Sequence, residues 1–182
     1  GAGLAGGQST RMTDGVPAPI IVTALMGAAD FAWADGLRRA HFPPERNWLG
    51  AHITLFHHLP PSALEEVAGR LKRLGAGPRP AARLTDVMLL GRGVAYHVES
   101  PELLAMRAEL ADAFAGMLTP QDQAKPRLHI TIQNKVTPDA AKALADKLRA
   151  DFRPRPLVIA GLAAWHYRGG PWEMAMKAMF RG

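Results

Sequence analysis

Apolar and polar residues alternate along two short segments of the chain, residues 51–56 and residues 128–133. Each segment contains a His-x-Thr triplet, formed by His52 with Thr54 and by His129 with Thr131. Successive side chains of a β-strand point to opposite faces, so the His and Thr of one triplet share a face while their apolar neighbours point the other way. The pattern therefore predicts two half-buried strands, each with a polar pair on one side.

Helical periodicity surrounds the first triplet. Residues 30–41 have the spacing of an amphipathic helix, and a second helical pattern follows the predicted strand. Ser62 with Glu65 three residues later resembles a capping box at the start of that second helix, and Gly75 is a typical residue for its end. We therefore expect the order helix, strand, helix around the first triplet.

The same order recurs around the second triplet. Ser100 followed by Pro101 predicts the start of a helix whose apolar positions continue to Met117. After the second His-x-Thr segment, Thr137 followed by Pro138 predicts the start of another helix. Because helix, His-x-Thr strand and helix occur twice, we expect an internal duplication that forms two lobes.

Two such strands facing each other would place two imidazoles and two hydroxyls around one small anionic group, which predicts a phosphodiester site. Imidazole titrates near neutrality, so one neutral and one protonated histidine can serve as base and acid. The hydroxyls of Thr54 and Thr131 would donate hydrogen bonds to the phosphoryl oxygens. The sequence does not decide whether His52 or His129 is the base. Unperturbed imidazoles predict a bell-shaped rate profile with both limbs near neutrality.

The paired triplets resemble the signature of the two-histidine phosphoesterase superfamily, especially its bacterial RNA 2′,3′-cyclic phosphodiesterases, historically called 2′-5′ RNA ligases. Residues 42–46 (Phe-Pro-Pro-Glu-Arg), residues 55–57 and residues 167–172 also resemble bacterial members. The resemblance covers residues 18–180. It implies an α+β fold with two antiparallel sheets that face a central cleft and helices on the outside. It also implies hydrolysis of 2′,3′-cyclic phosphate ends without metal, while the sequence leaves reversible 2′-5′ ligation open.

Two pairs of strands are predicted outside the repeated segments. Residues 82–90 and 94–98 flank a Gly-Arg-Gly turn, and residues 157–165 and 172–180 flank a second turn. In that second turn, Tyr167 and Arg168 are candidates for binding the nucleotide through stacking and phosphate contact, although an exposed turn without a binding role explains them equally well.

Composition narrows the choice of partners. The chain has 182 residues, 48% of them hydrophobic, and a net charge of +6. A basic chain favours a polyanionic partner such as RNA, although a basic surface also serves solubility.

The absence of cysteine excludes disulfides and thiolate metal sites. No Walker loop or dinucleotide fingerprint is present, and no apolar run reaches the ~20 residues of a membrane helix. We expect a cytoplasmic monomer without cofactor, metal or membrane contact.

The chain begins with a glycine-rich segment. We interpret residues 1–15 as a flexible extension, a remnant of cloning or a mis-assigned start, and residues 16–182 as a single bilobal domain. Two alternatives to RNA-end hydrolysis stay open. One is a phosphoesterase for a small cyclic nucleotide or an ADP-ribose cyclic phosphate, and the other is an RNA-binding module without turnover. The intact pair of triplets argues against the second alternative, because a binding module needs no acid and base.

Overall fold

A computed structural model describes residues 17–182 of the protein. The prediction for residues 1–15 lies outside the described residues. The strands are β1 (Ile20–Met26), β2 (Ile53–Leu59), β3 (Ala81–Leu89), β4 (Val94–Glu99), β5 (His129–Gln133), β6 (Arg155–His166) and β7 (Glu173–Met179). The α-helices are α1 (Ala28–His41), α2 (Leu64–Gly75), α3 (Pro101–Ala113), α4 (Pro120–Gln123) and α5 (Pro138–Asp151). The predicted α+β class is confirmed.

The strands form one seven-stranded antiparallel sheet, which divides into two parts that share β6. The order is β1-β2-β5-β4-β3-β6-β7, and β1 also pairs with β6, so the hydrogen-bonded network closes on itself. Residues 155–158 of β6 pair with β3, whereas residues 159–166 pair with β1. We call β2, β1, the second part of β6 and β7 lobe A, and β5, β4, β3 and the first part of β6 lobe B. Within residues 17–182, β2 and β5 meet at a single pair, Ile53 with Ile130.

The alternation of the two His-x-Thr strands places their apolar residues in the core, as predicted. Ile53, Leu55, Ile130 and Ile132 are buried and belong to one continuous hydrophobic cluster. Helix α1 packs against β5, α2 packs against β6 and β7, and α3 and α5 pack against β3. Within the described residues, none of the helices is long and apolar enough to cross a lipid bilayer. The helices thus cover the apolar faces, and the polar pairs are left on the cleft side.

Two of the predicted helix starts are confirmed by their caps. The Ser100 hydroxyl accepts a hydrogen bond from the Leu103 amide at 3.1 Å, and the Thr137 hydroxyl accepts one from the Ala140 amide at 3.2 Å. Both caps precede a proline at the first helical position. Helix α3 ends at Ala113 rather than at Met117, because the chain turns there and Gly116 adopts a φ of +87°.

The predicted capping box at Ser62 is wrong. Residues Pro61–Ala63 form a 3₁₀ turn, and α2 begins only at Leu64, with Ala63 at the N-cap position and no side-chain cap. Ser62 lies inside that turn, so it does not have the extended backbone of an N-cap residue. The helix does end at Gly75, and packing accounts for the glycine, because a Cβ there would lie 2.8 Å from the Cβ of Ala178 on β7.

Candidate active site

The structure brings the four residues of the two triplets together where the lobes meet. His52 directly precedes β2, and His129 is the first residue of β5. The pair between Ile53 and Ile130 is antiparallel, so the residue before one isoleucine lies beside the residue after the other. His52 therefore neighbours Thr131, and Thr54 neighbours His129. All four are partly exposed, while the isoleucines between them are buried.

Both histidines are held in the same way by the backbone just before them. Nδ1–H of His52 donates to the Gly50 carbonyl at 2.8 Å, and Nδ1–H of His129 donates to the Arg127 carbonyl at 2.6 Å. A carbonyl oxygen can only accept, so Nδ1 carries a hydrogen in both rings. This leaves Nε2 of each imidazole as the nitrogen that can take up or release a proton.

The surroundings of His52 favour the neutral ring. Burial lowers the pKa of His52 to about 4, even though the hydrogen bond to the Gly50 carbonyl acts in the opposite direction. The positive charges of Arg38, His129 and His57 lower this pKa further. At neutral pH, His52 is therefore unprotonated and able to accept a proton.

Tryptophan side chains surround His52 on the side of lobe A. The ring of Trp172 meets the His52 ring edge-on, with centroids 4.8 Å apart, and the Trp165 ring centroid lies 6.2 Å from that of Trp172. The indole N–H of Trp165 donates to the Thr23 hydroxyl at 2.8 Å. Thr23 on β1 is the cross-strand partner of Thr54, so a polar residue next to the first triplet also holds Trp165 in place.

A cavity of about 280 Å³ opens beside His52, and we call it the aromatic pocket. Its wall contains four aromatic side chains, Phe31, Trp48, Trp165 and Trp172. Among the described residues that line it, there is no Asp, Glu, Lys or Arg. No local pattern in the sequence indicates this pocket, although three of the four tryptophans of the chain line it. Such a wall suits a flat, uncharged group better than a second phosphate.

A further histidine lies next to the second triplet. His97 on β4 is the cross-strand partner of His129, so both rings are on the cleft face of lobe B. Nδ1–H of His97 donates to the Thr85 hydroxyl at 2.8 Å, and an Asp86 carboxylate oxygen lies 3.5 Å from the same nitrogen. The sequence could not place His97 here, because the register of β4 and β5 is not visible in either strand alone.

Tyr167 and Arg168 lie in the turn between β6 and β7, as the sequence predicted for that segment. The Tyr167 side chain is exposed, and Nε of Arg168 lies 3.7 Å from a carboxylate oxygen of Glu173. Their role in binding a nucleotide stays a prediction. Trp165 and Trp172, which flank this turn, are the residues that reach the aromatic pocket.

The side chains around the triplets bear on whether a metal ion could be held there. Within the part of the chain that the structure describes, no group of three or more His, Cys, Asp or Glu side chains is arranged to hold a metal ion. His57, next to the first triplet, instead donates from Nδ1 to the buried Asp122 carboxylate at 2.9 Å. Burial pushes the pKa of Asp122 upward, but hydrogen bonds from His57 and the His58 amide outweigh this and lower it.

Two His-x-Thr triplets on neighbouring strands, at the boundary between the two lobes of an antiparallel sheet, define the class of two-histidine phosphoesterases. Comparison with known proteins agrees. The family model of the 2′-5′ RNA ligase superfamily matches residues 27–171 of the sequence, and the chain belongs to this superfamily. No curated protein matches the sequence.

Several solved structures share the fold at low sequence identity. The crystal structure of E. coli LigT complexed with 3′-AMP is 15% identical with a TM-score of 0.60, over 92% of this chain and 100% of LigT. The crystal structure of TT0787 of Thermus thermophilus is 15% identical with a TM-score of 0.57, over 90% and 98% of the two chains. A structure described as a phosphoesterase is 17% identical with a TM-score of 0.58, over 91% and 100%.

Proposed function

We propose that this protein is a metal-independent phosphodiesterase that hydrolyses 2′,3′-cyclic phosphate ends of RNA or nucleotides with His52 and His129 as its acid–base pair. The observation that carries the proposal is the matched arrangement of the two imidazoles. Each is held through Nδ1 by a backbone carbonyl, so two Nε2 atoms are available beside two threonines. A binding module has no need for two proton-transfer groups in this arrangement.

In the proposed reaction, Nε2 of neutral His52 accepts a proton from water while the water oxygen forms a bond to phosphorus. The bond from phosphorus to one ribose oxygen breaks, and Nε2–H of protonated His129 donates its proton to that oxygen. The low pKa of His52 supports its role as the base. The hydroxyls of Thr54 and Thr131 donate to phosphoryl oxygens as negative charge builds up on them. In ligation, the reverse direction, the two histidines would exchange roles.

The aromatic pocket supports a nucleotide as the substrate. Its uncharged wall can stack a nucleobase while the cyclic phosphate lies beside His52. The net charge of +6 favours the phosphates of a longer RNA. Solved structures of LigT, similar in fold, are described as complexes with 3′-AMP, NADP+ and ATP.

We also include Tyr167 and Arg168 in the proposal, as residues that contact the nucleotide beyond the pocket. We further propose that the protein acts in the cytoplasm, as a monomer.

A small cyclic nucleotide or an ADP-ribose cyclic phosphate is a second candidate substrate. One observation favours it: the aromatic pocket lies directly against the reactive histidine, so a single base and its own cyclic phosphate would fill the site.

The decisive experiment incubates the purified protein with a 2′,3′-cyclic mononucleotide, an ADP-ribose cyclic phosphate and a short RNA that carries a 2′,3′-cyclic end. Product analysis by chromatography gives kcat/KM for each. A preference for the RNA supports the first proposal, and a preference for a small substrate supports the second. Binding of the RNA without any turnover would contradict both and leave the RNA-binding module.

A further inference from the structure

A buried arginine connects the loop before His52 with the strand of the other triplet. Arg38 on α1 is 3% exposed. Its Nε donates to the Asn47 side chain at 2.9 Å and to the Leu49 carbonyl at 3.1 Å, and its Nη1 donates to the Thr131 carbonyl at 3.0 Å. One guanidinium therefore holds the segment that leads into His52 and the backbone of Thr131 at a fixed separation.

A second buried arginine lies on a helix before the second triplet and contacts the strand of the first triplet. Arg107 on α3 is 6% exposed, and its Nε donates to the Leu55 carbonyl on β2 at 3.1 Å. Its Nη2 donates to the Asp122 carbonyl at 2.6 Å. Each guanidinium also lies over a phenylalanine ring, Arg38 over Phe42 and Arg107 over Phe56, at 4.2 Å and 4.3 Å from the ring centroid.

The two arginines lie where β2 and β5 separate. Those strands share the single pair Ile53–Ile130 among the described residues, because each continues into a different lobe. Buried carbonyls require hydrogen-bond donors, and near this pair the carbonyls of Leu55 and Thr131 each accept a hydrogen bond from an arginine. Helix α1, before the first triplet, and helix α3, before the second, thus each supply a donor to the strand of the other triplet.

We propose that Arg38 and Arg107 are positioning residues that set the separation of the two His-x-Thr triplets, and so of the two imidazoles, across the boundary between the lobes. This inference rests on the proposed function of that site. Neither guanidinium needs to touch the substrate, because both are buried and bonded to backbone carbonyls. Misplacing reacting groups by about 1 Å can cost a factor on the order of 10² in rate, which is the scale expected here.

The two arginines differ in their effect on His52. The charged and titratable groups that act on His52 are Arg38, His129 and His57, and Arg107 is not among them. Removing the charge of Arg38 should therefore raise the pKa of His52, whereas removing that of Arg107 should not. This asymmetry separates a specific role of Arg38 from a general loss of packing.

The experiment compares Arg38→Met, Arg38→Lys and Arg107→Met with the unaltered protein. Circular dichroism establishes folding, kinetics on a 2′,3′-cyclic mononucleotide give kcat and KM, and NMR titration gives the pKa of His52 without any need for turnover. We expect kcat to fall about 10- to 100-fold in all three variants with KM within about threefold. Arg38→Met should raise the His52 pKa, and Arg107→Met should leave it in place. Arg38→Lys keeps the charge but lacks the fork that reaches three acceptors, so only kcat should fall.

Unchanged kcat in folded Arg38→Lys and Arg107→Met would overturn the inference, and so would an equal shift of the His52 pKa in Arg38→Met and Arg107→Met. If Arg38→Met does not fold, Arg38→Lys and Arg107→Met still decide the kinetic part. If the unaltered protein turns over no cyclic phosphate, the proposed function fails on that ground alone. In that case NMR still tests the inference, because the His52 pKa and the positions of the His52 and His129 ring signals can be compared between the variants without turnover.

Discussion

The rings of Trp172 and His52 form an edge-to-face contact with their centroids 4.8 Å apart, and this contact helps to exclude water from the imidazole. Burial is the largest cause of the low His52 pKa. Trp172→Ala should admit water and raise that pKa from about 4 toward 6.5. The acid limb of kcat/KM, which reports the free enzyme, should move upward with it. An acid limb that stays in place in a folded variant would show that Trp172 does not control the ionisation.

The pH profile of the unaltered enzyme is a second prediction. If His52 is the base, kcat/KM should be lost only as the pH falls through about 4, the pKa of His52. The sequence alone predicted both limbs near neutrality, because it could not show the burial of this ring. His52→Gln should remove the acid limb from whatever activity remains, and His129→Gln should remove the basic limb. A rate that rises continuously to pH ~10 would contradict the two-histidine mechanism.

The same low pKa predicts a pH-dependent stability. Between pH 6.5 and about 4, the unfolded chain binds a proton at His52 that the folded chain does not bind. The free energy of unfolding should therefore decrease as the pH falls through this window, by at most about 3 kcal/mol. His52→Gln should lack this part of the decrease, while the effect of Asp122, whose pKa is lowered, should remain at still lower pH. Denaturant titrations of both proteins at several pH values provide the measurement.

Stacking in the aromatic pocket can be tested at an exposed position. The Trp48 side chain is 59% exposed, so Trp48→Ala should leave stability nearly unchanged. Loss of a stacked base costs ~1–3 kcal/mol, which corresponds to a Kd for a nucleoside monophosphate raised roughly 5- to 150-fold. Tyr167→Ala should raise the Kd less, because Tyr167 is also an exposed aromatic residue but lies outside the pocket wall and contacts the nucleotide only beyond it. Equal losses for both variants would place the base across the turn rather than in the pocket.

Two glycines of α2 form a matched pair for a stability measurement. A Cβ at Gly75 would meet the Cβ of Ala178 at 2.8 Å, whereas a Cβ at Gly69 would meet nothing within 4 Å. Gly75→Ala should therefore destabilise the protein by about 1–3 kcal/mol through overpacking against β7. Gly69→Ala should stabilise it by about 0.5–1 kcal/mol through helix propensity. Thermal unfolding that moves in the same direction for both variants would contradict this account of Gly75.

Local signals in the sequence predicted the fold well where the decisive contacts were also local. The strand pattern of the two triplets and the caps at Ser100 and Thr137 depend on residues a few positions apart, and the structure confirms the elements that they predict. The capping box predicted at Ser62 was wrong because residues Pro61–Ala63 form a 3₁₀ turn, so Ser62 cannot also serve as the N-cap residue. The residue types of Ser62 and Glu65 match a capping box, but the backbone at Ser62 does not have the conformation of an N-cap residue.

The environment of the site depended on contacts that no local pattern contains. Trp165 and Trp172 reach His52 from the other end of the chain through the pairing of β1 with β6. Arg38 has the appearance of a solvent-exposed helix residue in the sequence, yet it is buried against the backbone of Thr131. The sequence could therefore indicate the candidate histidines, but not the burial and charge that distinguish one histidine from the other.

Strand β6 has a consequence for how such a protein can be divided. Lobe B is inserted within lobe A along the chain, and the second boundary between them falls inside β6, between Val158 and Ile159. Both neighbours of that peptide bond are hydrogen-bonded into sheets, so no linker is available there for a protease, a recombination event or a designed split. Although lobe B occupies one continuous stretch of the chain, its last strand continues without a break into lobe A, so neither lobe can be excised without cutting β6.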